Sequence, residues 1–342
     1  MARPTVRDVA NEAGVSLATV DRVLNGRAGV REKTVDRVQK AVTKLGYVRD
    51  TYAANLARQR EYRFAFLLPE GPSQFAETIR EALAEAGQAQ AADRIAVQVY
   101  SIPLNDPHAV VRELRALQVR PLDGVAIMST ETPEVRDAVR RLKAAGVPVV
   151  AVVSDLPSSE RDHFVGIDSV SAGRTAAFLL GRFVKAAAGK ILVVTPSMLS
   201  RDSLERRLGF DAVIAADFPE FSVLPTVETH ADEERTSAVV ARVAATYEDI
   251  VGIYSMGAGN GPLLEALRET GLLIACPVIA HELTPVTREA LVDGEVDAVI
   301  AQHVGHLVRS ALRILRAKVD HAAVYEAQER IRIDIVTREN LP

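Results

Sequence analysis

Apolar residues recur along the chain in two rhythms, and the rhythm changes near residue 62. In the first, Val6, Val9, Ala10 and Ala13 fall at helical spacing. Val15, Val20 and Val23 then supply the apolar side of a second short segment. Gly14 stands between them where the chain must bend back, and only glycine takes a left-handed turn without steric cost. Ser16 occupies an N-cap position. The pattern predicts helices over about Val6 to Ala13 and Leu17 to Asn25 joined by a tight turn, a helix-turn-helix. In such motifs the second helix enters the DNA major groove, although the same hairpin also occurs as plain helical packing. A third helix is predicted over about Glu32 to Leu45, with Val35, Val38, Ala41, Val42 and Leu45 as its stripe and Gly46 as its cap.

The second rhythm begins with Phe64 to Leu68, a continuous apolar run suited to a parallel strand buried on both faces. Further strands are predicted at Ile95 to Ser101, Gly124 to Met128, Val149 to Val153, Ile191 to Thr195, Ser222 to Glu228, Ile250 to Ser255, Val278 to His281 and Ala298 to Gln302. Helical stretches alternate with them, from about Phe75 to Ala91, by way of Ser171 to Ala187, through His306 to Lys318. That alternation predicts an α/β core of two doubly wound parallel-sheet lobes. Between the rhythms, Tyr52 to Arg58 holds good helix formers in a stretch too short for an isolated helix. It reads either as a linker or as a helix that forms only with a partner.

Composition adds little, but charge adds a division. The 342 residues are 48% apolar and 25% charged, an ordinary globular balance. Residues 1–60 hold 12 Lys/Arg against 6 Asp/Glu, so a chain of net charge -4 divides into a basic head of +6 and an acidic body of -10. A polyanionic partner therefore suits the head alone. The lone Cys276 has no internal disulfide partner and lies in an apolar run that suits a buried thiol. No secretory h-region or membrane-length run is visible, which gives a cytoplasmic expectation with no membrane partner.

The run TVRDVANEAGVS, followed by TVDRVLNGR, V-x-x-KT-x-x-RV and LGY, resembles the headpiece of the LacI/GalR family of bacterial transcription repressors, densely over residues 4–60. The resemblance implies an all-α headpiece over residues 1–48 and a hinge helix or linker over 49–62. It implies a core of the periplasmic-binding-protein type over 63–342, which binds ligand and dimerises. The first lobe would span about 63–165 and 302–324, and the second about 166–301 and 325–342. The chain would cross between lobes near Gly166 to Asp168, near Ile300 to Gln302 and near Ala322 to Glu326.

The same resemblance places Leu17, Ala18 and Arg22 against base edges, where an arginine can grip guanine in bidentate fashion. Ser16, Thr19 and Asn25 would contact phosphate or brace the helix, and Thr5, Tyr47 and Asn55 join the DNA-contacting set. Leu56 would be an apolar wedge in the minor groove, with Ala53 packed beside it. Asp21 departs from the family, which usually has serine there, so it either accepts from a cytosine amino group or pairs with a neighbouring arginine.

Open α/β sheets bind ligands beyond the carboxyl ends of their strands. That rule and the resemblance point to Glu70, Phe75, Ser154, Asp155, Arg206, Ser255, Asn260, Glu282 and Gln302 as ligand contacts. Ser255 stands where relatives usually carry asparagine. A ring of Asp, Asn, Gln and Arg with an aromatic stacking face suits a sugar or polyol. Each residue has a plainer alternative: Asp155 could cap its own turn, and His281 beside Glu282 could be a satisfied core histidine. No G-x-G-x-x-G, Walker loop or G-x-S-x-G elbow appears, and His303 and His306 lack companion ligands, so no cofactor, metal or catalytic residue is expected. The expectation is a repressor of a carbohydrate or polyol operon, binding a near-palindromic operator in double-stranded DNA as a homodimer under control of a small effector. The alternative is a receptor or enzyme with an incidental headpiece. No leucine heptads follow the last element, which favours a dimer over a coiled-coil tetramer.

Overall fold

The computed structural model describes residues 4–24, 28–47, 60–71, 73–89, 94–103 and 106–342. It divides into two units, Met1–Arg60 and Glu61–Pro342. The expected contacts Asn25, Ala53, Asn55 and Leu56 lie outside the described residues.

The first unit is three helices, α1 (Val6–Ala13), α2 (Leu17–Leu24) and α3 (Glu32–Leu45). Thr5 and Asp8 cap α1 reciprocally: the Thr5 N–H donates to Asp8 Oδ2 at 2.7 Å and the Asp8 N–H donates to Thr5 Oγ1 at 3.4 Å. Gly14 ends α1 at φ 59°, the left-handed conformation anticipated for the turn. Arg37 of α3 reaches over this turn and donates to Ala13 O and, at 3.0 Å, to Gly14 O. The turn's free carbonyls are thereby satisfied by the third helix. Val9, Ala10, Ala13, Val20, Val38 and Ala41 form the small core.

The second unit holds two sheets. The first runs in the order β2-β1-β3-β4-β5, all parallel, from β1 (Tyr62–Glu70), β2 (Ile95–Pro103), β3 (Gly124–Ile127), β4 (Val149–Val152) and β5 (His163–Val165). Helices α4 (Gln74–Ala89), α5 (Pro107–Gln118) and α6 (Pro133–Ala144) alternate with these strands. The second sheet runs β12-β11-β10-β9-β6-β7, with β8 paired to β6. Its strands are β6 (Gly189–Thr195), β7 (Phe221–Val223), β8 (Val227–Glu228), β9 (Ile250–Ser255), β10 (Val278–His281), β11 (Ala298–Gln302) and β12 (Ile333–Val336). Its helices are α7 (Ser169–Phe183), α8 (Arg201–Asp217), α9 (Glu233–Thr246), α10 (Asn260–Glu269), α11 (Leu272–Ala275) and α12 (Pro285–Asp293). Then α13 (Val304–Val319) returns to pack on β1, β3, β4 and β5, and α14 (Glu326–Glu329) lies on the way back to β12.

Besides short elements that were not predicted, such as β5, the fold departs from the sequence expectation in three places. The predicted strand Ser222 to Glu228 is two strands, because Leu224-Pro225-Thr226 interrupts it and proline cannot donate to a ladder. The helix predicted to run to Ala187 ends at Phe183, where Val184 turns extended. β12 pairs antiparallel with β11, so the second sheet is mixed rather than wholly parallel.

One contact fixes the second lobe's helical layer. A Cβ on Gly173 of α7 would lie 1.9 Å from Arg206 O, and one on Gly209 of α8 would lie 2.0 Å from Val170 O. Two helix backbones therefore touch, each glycine facing the other helix's carbonyl. Alanine at either position gains about 1 kcal/mol of helix propensity but forces the helices apart. We expect Gly173→Ala and Gly209→Ala each to lose ~2–4 kcal/mol in urea unfolding. A neutral or stabilising result would mean that the helices separate freely.

Candidate functional site

In the headpiece, Ser16 caps α2, its Oγ accepting from Thr19 N–H at 3.2 Å and sharing a hydrogen bond with Thr19 Oγ1 at 2.9 Å. With the cap closed and Val20 turned into the core, Leu17, Ala18 and Arg22 are left on the outer face. Leu17 is 46% exposed, an apolar side chain held out at the first turn of the helix. Thr5 is exposed beside its own cap, and Tyr47 is half-buried against the headpiece core.

In the second unit a cleft of about 120 Å³ lies between the lobes, at the carboxyl ends of strands from both sheets. Two residues aim side chains there by adopting left-handed backbone: Val153 after β4, at φ 66°, and Glu282 after β10, at φ 68°. Both still join a ladder, the Val153 N–H donating to Val165 O and the Glu282 N–H to Ile300 O, each at 3.0 Å. A non-glycine residue at positive φ is held there at a cost of order 1–3 kcal/mol. The cost falls at corresponding places in the two lobes, and both residues face the cleft.

Arg206 of α8 is the centre of the polar wall, only 2% exposed. Its guanidinium donates to Met256 O and, at 3.3 Å, to Glu282 Oε1, with Asp202 Oδ2 at 3.6 Å. Gln302 Nε2 donates to the same Glu282 oxygen at 2.9 Å. Two side chains lining the cleft carry buried polar atoms with no protein partner, Arg206 Nε and Ser154 Oγ, and behind the wall Gln302 Oε1 and His281 Nδ1 have none either. Buried polar atoms left open in this way are where a ligand's hydroxyls can bond. Burial pushes the Glu282 carboxyl up to about 7, with Arg206 and Gln302 pulling the other way. His281 is held neutral by burial and by Arg206, well below its ordinary range, and its Nε2 meets Tyr254 OH at 2.8 Å.

Of the nine expected ligand contacts, Phe75, Ser154, Arg206 and Glu282 line the cleft. Gln302 stands behind Glu282. Ser255 donates to Asn260 Oδ1 at 2.7 Å, and Asn260 Nδ2 donates to His281 O at 3.0 Å. That pair ties the end of β9 to the start of α10 and to β10, and Asn260 faces a smaller recess beside the cleft. Neither of the remaining two expected residues lines the cleft. Glu70 is exposed at the end of β1, and the adjacent Pro69 takes the wall position. Asp155 turns into its own loop, accepting from Leu156 N–H and Arg161 Nη2, each at 2.7 Å. His281 is fully buried; its Nε2 is bonded to Tyr254, but its Nδ1 has no partner, so the plainer reading of a satisfied core histidine is met on one side only. The residues not anticipated are Asp202, the serines 197, 200 and 203, and the apolar Ile102, Val110, Met128 and Met256. Most lie after β2, β3, β6 or β9, so the strand-end rule applied to every strand would have reached them.

The fold and the cleft define a two-lobed ligand-binding core of the periplasmic-binding-protein type behind a helix-turn-helix headpiece. A family model of the periplasmic binding protein domain matches residues 64–323, and one of bacterial regulatory proteins of the lacI family matches residues 5–50. The chain belongs to the LacI/GalR family of bacterial regulatory proteins. Among solved structures, the core is similar to a glucose-galactose binding protein, GanP, from Geobacillus stearothermophilus, with TM-score 0.73 at 15% identity over 83% of this chain and 99% of that one, a likeness of fold. The HTH-type transcriptional regulator GntR of Pseudomonas aeruginosa is 32% identical over 176 residues, 51% of this chain and 49% of that protein. Catabolite control protein A of Staphylococcus xylosus is 28% identical over 214 residues, 59% of this chain and 63% of that protein. The chain spans about half the length of the curated relatives it matches. Among the described residues no helix is long and apolar enough to cross a membrane.

The pH dependence of Glu282 is separable from that of His281. A carboxyl with a raised folded pKa binds its proton more tightly in the folded state, so its contribution to stability falls as pH rises from about 4.5 to about 7. The neutral His281 acts oppositely, its contribution being lost as pH falls below 6.5. Glu282→Gln removes only the first effect. Urea unfolding at a series of pH values should show the variant gaining on the parent between pH 5 and 7, by up to about 3 kcal/mol, with a constant gap above. A difference independent of pH would show that Glu282 stays ionised.

Proposed function

We propose that this chain is a ligand-responsive transcriptional repressor of a carbohydrate or polyol utilisation operon. It binds a pseudo-palindromic operator as a homodimer, one recognition helix to each half-site. A small neutral sugar or polyol enters the interlobe cleft, changes lobe closure and so changes DNA affinity through residues 49–62. The observation that carries the reading is one chain with two separate binding features. These are the exposed face of Ser16, Leu17, Ala18 and Arg22 at α2, and the cleft lined by the unpartnered polar atoms of Arg206 and Ser154. The +6 charge of residues 1–60 on an otherwise acidic chain supports the DNA arm. The named regulators among its relatives, and the sugar-binding neighbour of its core, support the assignment of the two arms. The contacts expected of Asn25, Ala53, Asn55 and Leu56 belong to the same proposal. The cleft is read as a binding site rather than a catalytic one, and turnover of a bound sugar by the purified protein would argue otherwise.

The DNA arm is tested by selecting duplexes from a random pool and measuring affinity for the enriched sequence. A near-palindrome should emerge, and Arg22→Ala should lose ~1–3 kcal/mol with relaxed specificity at one base per half-site. An Arg22→Ala protein with parental affinity and specificity would remove α2 from the interface. Arg206→Ala should keep operator affinity but lose its response to the effector, and an unaltered response would remove the cleft from control.

A further inference from the structure

The two walls of the cleft differ in chemistry, and the difference selects among sugars. The second-lobe wall is polar: Arg206, Glu282, Asp202 and the three serines. The first-lobe wall carries an apolar patch, Phe75, Ile102, Val110, Met128 and Val153 with Pro69 at the end of β1, and the hydroxyl residues Ser73, Ser129 and Thr130 flank it. Its one charged side chain among the described residues is Asp106, already engaged as the cap of α5. One Asp106 oxygen accepts from Ala109 N–H at 2.9 Å, and the other lies 3.6 Å from Arg112. The Ser129 hydroxyl is likewise engaged, donating to Thr130 O at 3.1 Å. Ser154, whose Oγ is open, marks the boundary between the walls.

The charge count is also one-sided. Arg206 is the single cationic side chain of the described lining, and it faces two carboxylates, at 3.3 Å and 3.6 Å. A phosphate or carboxylate on a ligand would meet no uncompensated positive charge and would have to displace one of those pairs. A sugar hydroxyl pressed on the patch of Ile102, Val110 and Met128 would lose its water without gaining a partner.

We propose that the effector is an uncharged sugar carrying an apolar substituent, either a deoxy carbon or an alkyl or aryl aglycone. Its hydroxyls lie on Arg206, Glu282 and Ser154, and its apolar part lies against Ile102, Val110 and Met128. This rests on the reading of the cleft as the sugar-effector site and narrows it.

The test is thermal unfolding of the full chain with matched sets of probes. One set is D-glucose, 6-deoxy-D-glucose, phenyl β-D-glucoside, D-glucose 6-phosphate and D-gluconate, and parallel sets are built on galactose and mannose. In at least one set, a deoxy sugar or a glycoside should bind at least about tenfold more tightly than its parent, as a group matched to an apolar pocket does. The phosphate and the acid should leave the melting temperature unchanged. The deoxy and glycoside arms separate the two sources of the apolar group. Val110→Thr keeps the side chain's shape and adds a hydroxyl to the wall, so it should lower that preference toward unity, with the unliganded melting temperature reporting on its folding. Parent sugars binding as well as their apolar-substituted partners would overturn the proposal and leave a sugar cleft standing. So would a shift produced by the phosphate or the acid. No shift with any probe would overturn the sugar-effector reading and this proposal together.

Discussion

A guanidinium cannot shed its charge inside a protein, so burying one obliges the chain to surround it with acceptors. Arg206 imposes that obligation here at 2% exposure. Its acceptors come from three places in the sequence: Met256 after β9, Glu282 after β10, and Asp202 one helical turn back on α8. Those segments can converge only if α8 lies tightly on its neighbours. The backbone contacts at Gly173 and Gly209 hold it there. Glu282 in turn adopts left-handed backbone and accepts from Gln302. Helix packing, loop strain and the hydrogen-bond network are thus one constraint with several visible parts.

The same constraint explains why the site lies between lobes rather than within one. A parallel sheet presents its strand ends on one edge, and each lobe contributes such an edge. The second lobe spends its polar groups on Arg206 and so carries the fixed charge. The first lobe, whose Asp106 caps α5, offers mostly apolar side chains. The chain passes between lobes after β5, after β11 and before β12, and α13 belongs to the first lobe's packing although it follows the second lobe's strand. Three connecting segments between two compact lobes are the covalent arrangement of a hinge.

The alternation of apolar runs carried most of the architecture into view, because buried parallel strands such as Phe64 to Leu68 need continuous apolar sequence. What it missed were edges. His163–Val165 is three residues and half exposed, and Ile333–Val336 pairs on one side only. Neither has the burial on both faces that makes a central strand legible. The site was legible where a residue type is costly to bury. Glu282 stands out at the end of the apolar run of β10 and Arg206 came into view through the family resemblance, whereas Met128 or Val110 in the cleft wall look like any other core residue. Asp155 shows the converse: a carboxylate at a strand end is as useful to its own turn as to a ligand, and Arg161 six residues on decides for the turn.

Ser255 shows how a departure from family expectation can be absorbed locally. Where the family resemblance implies asparagine, this chain has a hydroxyl that donates to Asn260 Oδ1. Asn260 then donates to His281 O, so its amide is committed on both sides. His281 is fixed by Tyr254, whose ring stacks on Phe210 of α8 at 4.5 Å between centroids. Phe210 is one helical turn from Arg206. The polar chain from Ser255 therefore ends on the helix that carries the buried guanidinium, and it braces Glu282 through its neighbour His281. Ser255 and Asn260 thus hold the groups that face the cleft and do not themselves line it.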